Sequence, residues 1–143
     1  HIEFKVPESP PEAGGESRGN SGIYLQERYE IQILDSYGRP PEFNGCGAVY
    51  RQRAPDTNAS LPAGEWQYFD IEFHQPRWDS NGAKTRNARV TVHHNGVLIH
   101  QDVEVTAKTG HGAEEGPEAK PLKLQDHGNP VSFRNIWMIP LKK

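Results

Sequence analysis

The stretch Ala88–Val105 reads ARVTVHHNGVLIHQDVEV. Two alternating runs meet at Asn95-Gly96. An Asn-Gly pair between such runs specifies a two-residue hairpin, because both turn positions need positive φ. A chain built around such a hairpin is committed to antiparallel sheet.

Other segments repeat the same period of two. Ile2, Phe4 and Val6 alternate with His1, Glu3 and Lys5. Phe69, Ile71 and Phe73 alternate with Tyr68, Asp70, Glu72 and His74. SGIYLQ and YEIQILD flank Glu27 and Arg28, close enough for a second hairpin, and GAVY, PLKLQ and VSFRNIWMIPL supply the remaining strands. The intervening segments are rich in turn formers, among them 14 Gly and 12 Pro in 143 residues. The charged, Gly-rich AKTGHGAEEGPEAKP reads as a mobile excursion. No amphipathic helix is apparent. Many short strands without helices point to a β-sandwich or jelly roll, and residues 1–143 suffice for one domain with one core.

Several function classes drop out. A net charge of -3 without a basic stripe disfavours a nucleic-acid partner. No apolar run approaches the roughly 18 residues of a membrane-spanning helix. The lone Cys46 permits no internal disulfide and, among glycines, reads as a small buried residue. His93 and His94 are adjacent in a strand, so they diverge and fit no zinc-ligand spacing. No cofactor is implied, and a structural or catalytic divalent metal stays an open alternative. Gly19-Asn20-Ser21-Gly22 is not a nucleophile elbow. The chain begins with His, so it reads as processed or partial, with any export signal outside it.

Three segments gather polar groups where a core would not. They are Arg18–Gly22, then Glu30, Gln32 and Asp35, then Gln125–Asn129. Glu30 and Gln32 are two apart on a strand, about 6.6 Å on one face at about 3.3 Å per residue, and can address neighbouring atoms of one small ligand. Carboxylate, amide and guanidinium together suit sugar hydroxyls and carbonyls. The plain alternative is a wet sheet face. Asp126 could orient His127 for proton transfer if the chain turns there. The alternative is a polar β-turn that bonds its own backbone.

EFKV, RGNSGIYLQERYEIQILDSYG, CGAVY, GEWQYFDIEF, ARVTVHHNGVLI and LQDHGNPVSFRNIWMIPL, in that order, resemble the 3-keto-disaccharide hydrolase domain family. The resemblance covers nearly the whole chain, except that a tryptophan-containing, Gly-rich segment usual before EFKV is absent. A partner chain or separate fragment would then complete the sandwich. The resemblance implies a concanavalin-like jelly roll of two antiparallel sheets, periplasmic or extracellular, acting on a saccharide oxidised at carbon 3. That ketone acidifies the carbon-2 hydrogen, so a base can expel the aglycone by elimination and water can add afterwards. On that reading Glu30 or His127 is the base. Arg18, Asn20 and Gln32 hold the keto-sugar, and Asp35, Asp126, Gln125 and Glu3 support or bind hydroxyls. Arg134 and Asn135 fix the last strand.

Two other readings compete. A non-catalytic carbohydrate-binding module would use aromatic platforms, with Trp78, in a loop, a better candidate than Trp66 or Trp137. A structural sandwich would use an exposed sheet edge for protein contacts. Convergence of Glu30, Gln32 and His127 in one pocket favours catalysis.

Overall fold

The computed structural model describes residues 1–142. Its strands are Ile2–Lys5 (β1), Ser21–Leu25 (β2), Tyr29–Ile33 (β3), Gln67–His74 (β4), Arg77–Trp78 (β5), Lys84–Arg86 (β6), Ala88–His94 (β7), Val97–Val105 (β8), Lys123–Leu124 (β9) and Ser132–Arg134 (β10). The only helical element among the described residues is a 3-10 turn at Gly15–Ser17, and none is long and apolar enough to cross a membrane. One sheet runs β10-β1-β4-β7-β8, a smaller one β3-β2-β9, and β5-β6 is a two-stranded ribbon. Every pairing is antiparallel. The protein is an all-β jelly-roll sandwich.

The period-two pattern assigns the inner faces. Ile2, Phe4 and Val6, Phe69, and Val90 and Val92 from the large sheet meet Ile23, Ile31 and Ile33 from the small one, all buried. Each such side chain contributes about 1.5–3 kcal/mol by leaving water. The Asn95-Gly96 turn has φ of 51° and 78°, with His94 opposite Val97, as the sequence specifies. The second hairpin turns through Gln26 and Glu27, both at positive φ, with Arg28 N–H donating to Leu25 O at 3.0 Å.

Four expectations need correction. GAVY forms no full strand: Val49 bridges Ile31, and Tyr50 N–H donates to Glu30 O, so the chain flanks β3 for only a few residues. VSFRNIWMIPL is regular strand only at Ser132–Arg134: Asn135 takes φ 49° and shifts the register, after which Trp137 still exchanges backbone bonds with His1 at 3.0 and 3.1 Å. Trp78 lies in the β5-β6 ribbon rather than in a loop.

The fourth concerns the Gly-rich excursion after Val105, which is pinned. Arg28, fully buried, donates from Nε to Glu114 O (2.8 Å) and from its two terminal nitrogens to Glu118 O (3.0 Å) and Glu118 Oε1 (2.8 Å). Two backbone bonds hold the same segment, Thr109 N–H to Arg28 O and Ala113 N–H to Glu27 O. Cys46 is buried, which pushes its thiol up to about 11.

β1 covers β4 only over Gln67–Phe69, so Ile71–His74 has β7 on one side and, among the described residues, no strand on the other. An open groove of about 1480 Å3 runs there, bordered by Leu25, Ile71, Phe73, Trp137 and Met138.

Candidate functional site

The inner face of the small sheet is apolar, so its outer face carries the residues that alternate with the core. Gly22 and Tyr24 of β2 lie opposite Gln32 and Glu30 of β3. Lys123 of β9 lies opposite Tyr24, and Gln125 N–H donates to Gly22 O just beyond that strand. Loops close over this floor and leave a cavity of about 440 Å3, in the range of small-molecule sites. Glu30 and Gln32 line it with Asn20, Gln125 and His127, joined by Glu16, Tyr50, Arg51, Gly110 and His111. The face is therefore covered rather than wet: Glu30 is 2% exposed and Gln32 1%.

Gly22 makes room for the carboxyl. A Cβ there would fall 2.1 Å from Glu30 Oε1, so the Glu30 side chain lies across the bare backbone of β2. The neighbouring Tyr24 hydroxyl favours the ionised carboxylate. Burial dominates and pushes the Glu30 carboxyl up to about 7; Tyr24 pulls it down, the Glu16 charge raises it and Lys123 lowers it. Burial first, and the Glu30 carboxyl second, hold the Tyr24 hydroxyl far above its ordinary range.

Other polar atoms here lack partners. Gln32 Oε1 and Gln125 Oε1 are buried without a hydrogen bond, although Gln32 Nε2 donates to Asn44 O at 3.2 Å. Buried polar atoms are normally satisfied, so unsatisfied ones beside a cavity are what a polar ligand would complete. Glu16 forms one wall: its Oε1 accepts from Tyr50 Oη (2.9 Å) and Asn44 Nδ2 (3.3 Å), and Arg51 stands 4.0 Å from Oε2. Arg51 is the only arginine or lysine among the lining residues.

The structure gathers Asn20, Glu30, Gln32, Gln125 and His127 around one cavity and gives the other candidates different surroundings. Arg18 donates to Asp35 Oδ2 at 2.7 Å and to Ala13 O at 3.2 Å, so this pair ties the loop before β2 to the end of β3. Asp126 accepts from Gly128 N–H at 2.9 Å, the backbone-bonding turn, and leaves His127 unpaired to it. Asn20 donates its amide to Glu16 O at 2.8 Å. Glu3 lies on the outer face of the large sheet, bonded to Arg134 and to Asn135 Nδ2, since its neighbours Ile2 and Phe4 point inward. Trp78 is not among the lining residues, Trp66 packs under Lys5 and Arg134, and Trp137 stacks on His1. Among the described residues no three His, Cys, Asp or Glu side chains are grouped as metal ligands.

Glu16, Tyr50, Arg51 and His111 escaped the sequence reading. Tyr50 was legible in principle, since it follows Val49 and so points opposite the core. Glu16 and His111 sit in Gly-rich loops without periodicity, and nothing local marks them.

Fold and cavity together define an all-β jelly-roll domain with a carboxylate-bearing cavity on the outer face of its smaller sheet. Comparison with known proteins agrees. The chain belongs to the 3-keto-alpha-glucoside-1,2-lyase-like domain family, whose profile matches residues 1–139. A crystal structure from Parabacteroides distasonis ATCC 8503, provisionally designated a glycosyl hydrolase, is 38% identical with a TM-score of 0.84. It is matched over 95% of this chain, which spans only 60% of that one. A second structure from the same organism, under the same designation, shares the fold at 19% identity and a TM-score of 0.63, over 94% of this chain and 67% of that one. No curated protein matches.

Proposed function

We propose that this domain cleaves glycosides oxidised at carbon 3, by removing the carbon-2 proton and eliminating the aglycone, with water adding afterwards for a net hydrolysis. The observation that carries the reading is Glu30: a buried carboxyl beside the Tyr24 hydroxyl, held at about 7, in a polar cavity sized for a small molecule. A carboxyl there is a far stronger base than one in water, and its proton affinity matches a neutral working pH.

The carbon-2 C–H electrons pass into a C2=C3 enolate; as that enolate collapses the ketone re-forms, C1=C2 forms and the C1–O bond breaks with its electrons on the aglycone oxygen. The proton goes to Glu30, and the negative charge that builds on the carbon-3 oxygen falls to donors. Arg51, which lines the cavity, is the candidate donor. Gln32 and Gln125 offer unused acceptors to the hydroxyls. The family description and the provisional designation of the 38%-identical structure both point to glycoside chemistry. A binding module would call for an aromatic platform, and the three tryptophans all lie away from the cavity.

Incubating the protein with 4-nitrophenyl 3-keto-glucoside in D2O tests the reading. Nitrophenol release and deuterium at carbon 2 of the product are expected. Glu30→Gln should still bind the substrate while losing turnover by about 100-fold or more. Binding by the unaltered protein without release would overturn the enzyme reading.

A further inference from the structure

Elimination leaves one requirement unmet: a glycosidic oxygen that is a poor leaving group must be protonated as it departs, and the donor must stand near the base, because that oxygen is only two bonds from carbon 2. Two imidazoles line the cavity, His111 and His127. They enter from different ends. His127 arrives on the turn beyond Gln125, which Asn129 ties to Asn20 N–H at 3.0 Å, at the Gln32 end of the floor. His111 arrives at the Glu30 end.

The segment carrying His111 is clamped to the strand that carries Glu30. Thr109 is buried; its hydroxyl oxygen accepts from Glu30 N–H at 2.7 Å and donates to Arg28 O at 3.3 Å. Its N–H donates to the same carbonyl at 2.9 Å, and Ala113 N–H donates to Glu27 O at 2.8 Å. Glycines on both sides of His111 permit this approach. A Cβ on Gly112 would fall 2.3 Å from Arg28 O, and Gly110, at φ +38°, sits against the Tyr50 ring with its Cβ position 3.8 Å from Glu30 Oε2. His111 itself makes no side-chain hydrogen bond within the described protein, so its ring is free for a ligand. A loop bonded this tightly to β3, yet ending in an exposed and unengaged imidazole, serves the cavity rather than the core.

Building on the elimination reading above, we infer that His111 is the proton donor to the departing glycosidic oxygen, opposite Glu30 as base. As C1–O breaks, the imidazolium form of His111 passes one ring N–H proton to the leaving oxygen. The neutral imidazole left behind is the base that later takes a proton from the water adding at carbon 1.

An acid is needed only where the leaving group is poor, and this gives a test specific to His111. The full chain and its Glu30→Gln, His111→Gln and His127→Gln variants are assayed on 4-nitrophenyl and methyl 3-keto-glucosides. His111→Gln should lose about 100-fold or more in kcat/KM on the methyl substrate and less than about 5-fold on the nitrophenyl one. Glu30→Gln should lose similarly on both. Equal losses for His111→Gln on the two substrates, no loss on either, or the leaving-group dependence appearing in His127→Gln instead, would overturn the assignment while leaving the elimination reading in place. Failure of the unaltered protein on both substrates would sink that reading and the assignment with it. The His111 side chain bonds to nothing, so its variant keeps the fold, and an unchanged circular dichroism melt verifies it.

Discussion

A Cβ added to Gly22 would come within 2.1 Å of Glu30 Oε1, across the β2–β3 ladder. The two residues are one device: the missing side chain on β2 is the space in which the carboxyl on β3 lies. Gly22→Ala should swing the carboxyl away, because the obstructing atoms are the far end of a flexible side chain. Strand propensity favours Ala over Gly by about 0.5–1 kcal/mol and offsets part of the crowding. Stability should therefore stay within about 1 kcal/mol of the parent while activity falls about 100-fold, the scale of a misplaced catalytic group. A denaturation curve beside a kcat/KM measurement checks both halves; parental activity in the variant would mean that the carboxyl's seat is immaterial.

Glu30 sets the pH response. A base must be ionised, so kcat/KM on the nitrophenyl substrate, whose departure needs no acid, should rise with pH through about 7 and level above it, where a carboxyl at the ordinary 4.5 would have levelled well below. Stability should run the other way. Between about 4.5 and 7 the folded state holds the Glu30 proton and the unfolded state does not, so stability falls as pH rises through that window. Glu30→Gln should abolish that loss and be more stable than the parent above pH 7, by roughly 3–4 kcal/mol at about 1.4 kcal/mol per pKa unit. Chemical denaturation of parent and variant at pH 5 and pH 8 measures the difference.

His94 acts with the opposite sign. It is buried, its Nε2 lies 3.0 Å from Gln67 Oε1 and its Nδ1 has no partner. Burial lowers its imidazole to about 4. Below pH 6.5 the unfolded state takes up a proton that the folded state refuses, so stability falls as pH falls from about 6.5 to 4. His94→Phe should remove this contribution and leave that of Glu30, so on going from pH 6.5 to pH 4.5 the variant's urea midpoint should rise relative to the parent's.

Arg28 anchors the loop that bears His111. Arg28→Met fills similar space but gives up the bonds to the Glu114 and Glu118 carbonyls. Glu118's carboxylate is half exposed, so most of the loss is those backbone bonds, about 2–3 kcal/mol. Amide hydrogen exchange at Thr109 and Ala113 should speed up well before that of the β7–β8 hairpin. Unchanged protection at those two amides would show that the backbone bonds hold the loop without the guanidinium.

Much of the fold was legible in the order of residues because strands alternate strictly. Phe69, Ile71 and Phe73 could only share a face, and Asn95-Gly96 could only turn one way. The same alternation put Glu30 and Gln32 together on the face away from Ile31 and Ile33. Alternation fails where a residue leaves the extended region, and Asn135 at φ 49° interrupts the run that reads as one strand through Arg134 and beyond.

What sequence alone settled, then, was local: which side chains share a strand face, and where the chain must reverse. Whether that face met water or a covering wall was decided by loops returning from elsewhere in the chain, through bonds such as Glu30 N–H to Thr109 Oγ1, 79 residues apart. The same long-range contacts buried Glu30 and raised its proton affinity, since desolvation depends on everything that surrounds a group. They also gave Arg18, Asp35 and Glu3 partners elsewhere, which no spacing along the chain encodes.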